Sequence, residues 1–499
     1  MNIVVVGGGT AGWLTALYAN RVFPKDQITL IESDEIGILG AGEGTTPNLL
    51  PLFDFLGIPA LELIRETGAT VKNGIKFSNW DRDGSYYYHS FLSNSVNSND
   101  YNFSYNKYLE IDTAFCHIYG HEYGHELKEY SFMHKLCDNH QVPFIIDEVG
   151  FNAEANWAIH FNARRIAAFL RSVGESRGIR RVEGTVSKID SDVNGYITKL
   201  SFERGEIDVD FVFDASGFAR ELIGKHFKSE WKSHSTHLPA KKAIPFFLPL
   251  EEDLPPYTES TALNYGWMWK IPTQDRYGCG YVFDSDFITE DEAHQELTDL
   301  LGGPVDSPKT FNFNAGCYTT PWVKNCLAVG LSAGFIEPLE ATSLSQIAIV
   351  LERFLSDPTN IVSKNETIIK KFNQDYLDDT QEVVDFLYTH YITNKVNTPF
   401  WEDFTKNNVM PEFVSYILDV YKDRPFVPED FKGRNMFATY SYTYILLGNG
   451  LLTPEIREKH TRFVRLDKSL EYFSILKNQT KNLPLFSTHK DFIRKSLGG

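Results

Sequence analysis

Asn2 to Val6 is an unbroken apolar run, the pattern of a parallel strand buried on both faces. The glycine-rich stretch Gly7-Gly8-Gly9-Thr10-Ala11-Gly12 follows. A helical pattern comes next, with Leu14, Leu17 and Tyr18 spaced for one face. Gln27 to Ser33 reads as a second strand, so a βαβ unit is complete within about thirty-five residues. The stretch from Tyr86 to Tyr123 is rich in Tyr, Asn and Ser and predicts an irregular insertion, about 81–150, rather than a framework element. Asn162 to Val173 predicts a helix, and short strands are expected around 180–192 and 196–217. Residues 261–284 look strand-rich, and Asn325 to Gly330 predicts a returning core strand. After Ser343 helical patterns dominate, at 344–355, 380–392 and 412–421. No internal repeat or low-complexity linker is visible. The lobes are therefore expected to interleave, with a working division into 1–345 and a mainly helical 346–499.

Composition narrows the class. The chain has 499 residues, enough for a sizeable core, and carries 48 Lys plus Arg against 66 Asp plus Glu. A net charge of −18 argues against binding nucleic acid or an anionic membrane through bulk charge. No apolar run is long enough to span a bilayer, and the first strand begins almost at once, so neither anchor nor leader is expected. The five cysteines (Cys116, Cys137, Cys279, Cys317, Cys326) show no close pairing pattern and are expected as reduced thiols in a cytoplasm. Aromatics reach 14 %, which fits either stacking surfaces or a Phe-rich core.

The glycine stretch fits GxGxxG in its required setting, after a strand and before a helix. Gly7, Gly9 and Gly12 allow the tight turn, and the amides around Thr10 and Ala11 face a pyrophosphate at the helix start. Glu32 ends the next strand, where a carboxylate binds a ribose hydroxyl and favours NAD or FAD over NADP. A second apolar strand ending at Asp214, in Asp-Ala-Ser-Gly, favours FAD. No second GxGxxG lies in strand–helix context, so the flavin is expected to be reduced elsewhere. The expected fold is α/β, a Rossmann-like FAD-binding fold.

His121-Glu122-Tyr123-Gly124-His125 matches the HExxH pattern of zinc hydrolases. Its setting is poor, because Gly124 weakens a helix interior and the flanks lack an apolar stripe. A chance match in a His- and Tyr-rich stretch is the expectation, and no metal site is assigned.

Several longer motifs occur in order. They are the glycine turn ending in Trp13, Gly42-Glu43-Gly44-Thr45-Thr46-Pro47, "GIKFSNW" at 74–80, "GWMWKIP" at 266–272, "WVKNCLAVGLSAGFIEPLEATS" at 322–343 and "HYITNKVNTPFW" at 390–401. Together they resemble the flavin-dependent halogenases of the tryptophan halogenase family. The resemblance implies the flavin monooxygenase type of FAD fold, with a mainly helical region covering the substrate. It implies FAD used as FADH2, oxygen, a halide ion and a separate flavin reductase. The halide becomes hypohalous acid, which passes through an internal tunnel to a lysine beside an aromatic small-molecule substrate.

By this resemblance the lysine is Lys76, and Glu340 is the active-site glutamate. An apolar pocket lowers a lysine's pKa, so Lys76 is expected to hold the acid by a hydrogen bond or to capture the halogen as a haloamine. Its bland alternative is a lysine lying over Trp80 or paired with a structural carboxylate. Thr342 and Ser343 open a helix whose amides suit a halide. Gly42 and Gly330 fall in cofactor motifs, and Pro338, Trp267 and Trp269 are expected as tunnel walls. His89 and Phe91 match a pair that flanks substrate in tryptophan-acting members. The stretch 435–450 lacks a counterpart to their tryptophan-clamping aromatics, so an electron-rich indole, phenol or pyrrole is expected, with bromide or iodide favoured over chloride. Oligomeric state stays open. The competing readings are a flavin aromatic hydroxylase and a flavin-binding protein without turnover.

Overall fold

The computed structural model describes residues 1–37, 42–91, 131–146, 151–307, 309–434, 436–437, 439–462, 478 and 480–498. The chain divides into two compact units, each assembled from three stretches. Met1–Ala69, Phe161–Ser235 and Asn314–Gln381 form the first. Thr70–His160, Thr236–Phe313 and Glu382–Gly499 form the second.

In the first unit the leading apolar run is Asn2–Val6 (β1), with Ile3, Val4 and Val5 fully buried. It leads through the glycine turn into Thr10–Val22 (α1) and then Gln27–Glu32 (β2), which pairs with β1 in parallel. The sheet order is Arg180–Glu183, β2, β1, Phe211–Asp214, Cys326–Ala328 and Trp322–Val323. All neighbours are parallel except the last pair, a hairpin. Both faces of this sheet are covered, which is why its strands lack polar alternation. On one side Val4, Val6 and Val212 pack with Ile197 and Leu200 of an antiparallel layer spanning Val186–Asp208. Helix α1 packs against the helices Ala163–Ser176 and Ser343–Leu355. The working division at 345/346 falls inside that last helix. Leu344, Ile347, Leu351 and Phe354 bury its apolar face, so residues 346–381 belong with the first unit.

The second unit is built on a seven-stranded sheet. Its order is Phe311–Asn312, Lys242–Leu248, Tyr277–Phe283, Gly266–Pro272, Thr258–Leu263, Gly74–Ser78 and Tyr86–Ser90. The pairing of Thr258–Leu263 with Gly74–Ser78 is parallel, and the other pairings are antiparallel. The helix Glu290–Leu301 covers one side through Ala293 and Leu297, which join Phe246, Tyr281 and Phe283 in one apolar cluster. Its start carries a reciprocal Thr289–Glu292 cap.

Two parts of the expected insertion are framework. Tyr86–Ser90 is an edge strand of the seven-stranded sheet, and Phe132–Asp138 is a helix packed on it. Tyr87, Tyr88, His89 and Ser90 are all buried, so neither side of the strand shows the polar alternation that marks a half-exposed one. Residues 92–123 lie outside the described residues. Among the described residues no single helix is long and apolar enough to cross a membrane. Cys137, Cys279, Cys317 and Cys326 are buried free thiols.

Candidate active site

The glycine turn of the first unit is a close-packed cradle. A Cβ on Gly7 would lie 2.0 Å from the Ala215 carbonyl oxygen, and Gly7 has φ +119°. A Cβ on Gly12 would lie 1.8 Å from the Gly7 carbonyl oxygen, so the helix can follow the turn this tightly only with glycine there. Around Gly9, by contrast, an added Cβ would meet nothing within 4 Å. No side chain caps the start of α1. Thr10 is buried in its first turn and Ala11 is half-buried. Ala11 lies under Gly330, where an added Cβ would come 2.9 Å from the Ala11 Cβ. Glu32 folds over Gly8, and its Oε1 accepts from Arg181 Nε at 2.5 Å. A turn open at Gly9, an uncapped helix start and an acid at the end of β2 fit a dinucleotide of the FAD type.

Asp214 departs from its expected role as a cofactor contact. It is fully buried, and its carboxylate points inward. Oδ1 accepts from the Ser216 amide and hydroxyl, at 3.1 and 2.6 Å. Oδ2 accepts from the Leu222 and Ile223 amides, at 2.9 and 2.8 Å. Four internal donors occupy it, so Asp214 shapes the loop 215–223 from beneath.

Glu340 is buried at the third position of a turn closed by the Ala341 amide donating to the Pro338 carbonyl at 3.0 Å. Ala341 stands at φ +56°, a left-handed position uncommon for a residue with a Cβ. That bend leads into Thr342 and the helix beginning at Ser343. Thr342 is 1 % exposed, its hydroxyl meets no hydrogen-bonding partner among the described residues, and no side chain caps the helix. An orphaned buried hydroxyl at an uncapped helix start is what a small anion would satisfy. The Gly42–Pro47 stretch reaches the same helix, where the Thr46 and Ser345 hydroxyls lie 2.5 Å apart. Gly42 takes φ +90°, and burial pushes the half-buried Glu43 carboxyl up to about 7.

The second unit holds the lysines. Lys76 is not in an apolar pocket. Its ammonium lies 3.5 Å from Glu259, over the ring of Tyr86 at 4.6 Å, and its side chain is 21 % exposed. Pairing places Lys76 opposite Tyr88 and Ile75 opposite His89, so Lys76 and His89 occupy opposite faces of the sheet. The bland alternative for Lys76, pairing to a structural carboxylate, describes what is found.

Four residues earlier, Lys72 ends the strand Thr70–Lys72 and is 0 % exposed. Among the described residues it is the lone fully buried lysine. Its Nζ lies 5.8 Å from the ring of Phe91, two residues beyond His89 and on the same side. The strand is held at Thr70, whose hydroxyl is 3.2 Å from His160 Nδ1, and at Val71, whose amide donates to His489 Nε2 at 2.9 Å. Burial and the Lys72 charge together hold the His160 imidazole neutral, well below its ordinary pKa. The structure thus brings together Lys72, Phe91 and His89 and leaves Lys76 apart from them.

An aromatic shell surrounds His89. Phe386 lies 5.4 Å from it, Tyr440 6.2 Å, and Phe437 and Tyr444 6.3 Å each, while Ser441 Oγ is 3.1 Å from its Nε2. Sequence reasoning missed this contribution from 437–444. The signal was the i, i+4 spacing of Tyr440 and Tyr444 on one helix face. Trp267 is buried, donates to the Tyr391 hydroxyl at 3.1 Å, and has its ring 6.1 Å from that of Trp269. Gly280 leaves the space that the Trp269 ring fills, since a Cβ there would sit 2.1 Å from it. The His121–His125 motif lies outside the described residues. No cluster of three metal-ligating side chains occurs among the described ones.

Known proteins resemble this chain along its length. The tryptophan halogenase family model matches residues 2–464. The chain is 31 % identical to the tryptophan 7-halogenase RebH of Lentzea aerocolonigenes over 545 residues, covering 99 % of this chain and 98 % of that one. Among solved structures, Tar14, a tryptophan C-6 flavin-dependent halogenase from taromycin biosynthesis, superposes with a TM-score of 0.88 at 27 % identity, with all of both chains covered. BrvH, a flavin-dependent halogenase from Brevundimonas sp. BAL3, gives 0.84 at 27 % identity, with 99 % of each chain covered.

Two predictions follow from the first unit. Asp214→Ala strands the Leu222 and Ile223 amides and is expected to cost about 3 kcal/mol in denaturant unfolding; a cost below about 1 kcal/mol would contradict the bonding described. Glu43 holds its proton to about pH 7 when folded, against 4.5 for a free side chain. Its stabilising contribution is therefore full below pH 4.5 and lost as pH rises through 7. Thermal unfolding of Glu43→Gln across this range should lack that downward slope. Parallel pH curves for the two proteins would refute the assignment.

Proposed function

The chain belongs to the tryptophan halogenase family and is a flavin-dependent halogenase, and we propose that it halogenates an electron-rich arene through Lys72 rather than Lys76. Reduced FAD comes from a separate flavin reductase, and the substrate is an aromatic small molecule. The observation that carries the reading is the complete burial of Lys72 beside Phe91, on the side of the sheet that bears His89.

The glycine turn, Glu32 and Gly330 would hold the FAD. When bound and reduced, it supplies with oxygen the oxidising power that converts halide into an electrophilic halogen. Thr342 and the helix start at Ser343 hold the halide, because an uncapped helix terminus and an orphaned hydroxyl both favour an anion. Glu340, buried and fixed by its turn, polarises the oxidant or takes the ring proton. Lys72 receives the electrophilic halogen, by a hydrogen bond or as a haloamine, and presents it to a single ring position. Full burial excludes water from the Lys72 amine and limits loss of the halogen to hydrolysis. The rings around His89 supply flat apolar walls for an aromatic substrate. Indole, phenol or pyrrole rings are the proposed substrates, with bromide or iodide ahead of chloride.

The test is turnover with FAD, a flavin reductase, NADH and oxygen. Chloride, bromide and iodide are offered separately with an indole, phenol and pyrrole panel, and products are followed by mass spectrometry. Halogenated product is expected from the native protein and from Lys76→Met, and a loss of at least about a hundredfold in Lys72→Met, the scale of a catalytic group. Oxygenated product without halogen would identify a hydroxylase. Loss in Lys76→Met with activity retained in Lys72→Met would overturn the assignment.

A further inference from the structure

Lys76 remains without a part in this chemistry, yet its surroundings are built. Its Nζ stands over the face of Tyr86, 4.6 Å from the ring centre, and 3.5 Å from a Glu259 oxygen. Glu259 is itself fixed by the Ser78 hydroxyl at 2.7 Å. The Tyr86 phenol donates to Asp138 Oδ1 at 3.2 Å, and Tyr86 is half-buried. Tyr257 lies farther from the amine, at 5.6 Å, and is buried, as is Tyr88. A cation held over a ring face occupies the side from which an electrophile attacks an arene. Hydrogen bonding of the phenol to a carboxylate adds electron density to that ring.

We propose that Lys76 and Tyr86 form a modification site, in which Lys76 captures hypohalous acid escaping into solvent and passes the halogen to the Tyr86 ring. In the first step the lysine nitrogen forms a bond to halogen as the halogen–oxygen bond breaks. The ammonium gives up two protons, one to Glu259 and one to the departing hydroxide, which leaves as water, and Glu259 returns its proton to the amine when the cycle closes. In the second step the nitrogen–halogen bond breaks and a bond forms from halogen to the ring carbon ortho to the phenol oxygen. The displaced ring proton returns to the amine. The ring is oxidised by two electrons, the halogen is reduced to organic halide, and Lys76 is regenerated. The oxidant is hypohalous acid, whose source in turnover rests on the halogenase reading above. The site gives an enzyme that makes a diffusible oxidant a defined residue on which to spend it.

Tyr416 is the natural comparison. It is 46 % exposed and its phenol also donates to a carboxylate, Asp430 at 2.7 Å, but the cation bound to that carboxylate is Arg424. Tyr196 lies 4.8 Å beneath Lys364 Nζ and serves as a lysine-covered ring independent of Lys76.

The FAD-loaded full-length protein is treated with substoichiometric hypobromous acid and mapped by peptide mass spectrometry. Bromotyrosine at Tyr86 is expected to exceed that at Tyr416 several-fold. Lys76→Met should bring Tyr86 to the Tyr416 level or below and leave Tyr196 unchanged. Lys76→Arg keeps a cation at the position but cannot relay halogen as an amine does, and should behave like Lys76→Met. Modification that follows exposure, with Tyr416 ahead, or that persists at Tyr86 in either variant, overturns the proposal. A second arm uses turnover with bromide and no arene. If the enzyme brominates an added arene yet leaves Tyr86 unmodified when none is present, capture of escaping oxidant at this site fails. If no arene is brominated at all, the halogenase reading fails and the reagent arm still decides the Lys76–Tyr86 relay.

Discussion

The Lys72 side chain lies wholly out of water, and the second unit is arranged around that constraint. Removing an ammonium from water costs of order several kcal/mol even after relaxation, so such a residue persists only where its surroundings are rigid. The backbone beside it is tied at each step. Val71 is held by His489, the Asn73 amide donates to the Pro256 carbonyl, and the Phe91 amide donates to the Asn73 carbonyl. Thr70, His160 and Thr258 form a continuous buried chain, with His160 Nε2 2.9 Å from the Thr258 hydroxyl. Lysine would otherwise turn toward solvent through its flexible stem. Here the strand carrying it is paired with the strand Ala158–Phe161 and tied at Val71 to His489, the first residue of the helix His489–Ser496.

The first unit shows the complementary strategy, in which function rests on what is left out. Gly7, Gly12 and Gly330 are sites where one added carbon would strike backbone or a neighbouring side chain, while Gly9 faces open space. Beneath the glycine turn Asp214 is saturated by its four internal donors. Uncapped helix starts at Thr10 and Ser343 leave amide donors that favour anions.

Much of this was legible in the sequence. Periodicity located β1, α1, β2, a strand-rich stretch over 261–284 and the helices after Ser343, because each carries its apolar pattern within its own residues. The glycine turn was legible because the spacing of Gly7 and Gly12 has a steric meaning. The lysine was not. Lys72 and Lys76 lie four apart on either side of Asn73-Gly74, and composition around them is similar. Which one turns inward depends on the register of Gly74–Ser78 with Tyr86–Ser90 and on a contact to His489 more than four hundred residues away. Long-range pairing of that kind leaves no local trace. Asp214 is a different case, since its partners follow it within loop 215–223 and only the folded loop shows that they saturate it. For Tyr440 and Tyr444 the spacing marks a shared helix face, and the packing around His89 shows what that face meets.

The most direct measurement is the partition of oxidant during turnover, comparing halogen incorporated into an arene with halogen captured by a β-diketone trap in solution. If Lys72 receives and delivers the halogen, Lys72→Met continues to oxidise halide but sends it to the trap, and Lys76→Met partitions like the native protein. A Lys72→Met enzyme that still directs halogen to the arene, or a Lys76→Met enzyme that loses it to the trap, would contradict the account.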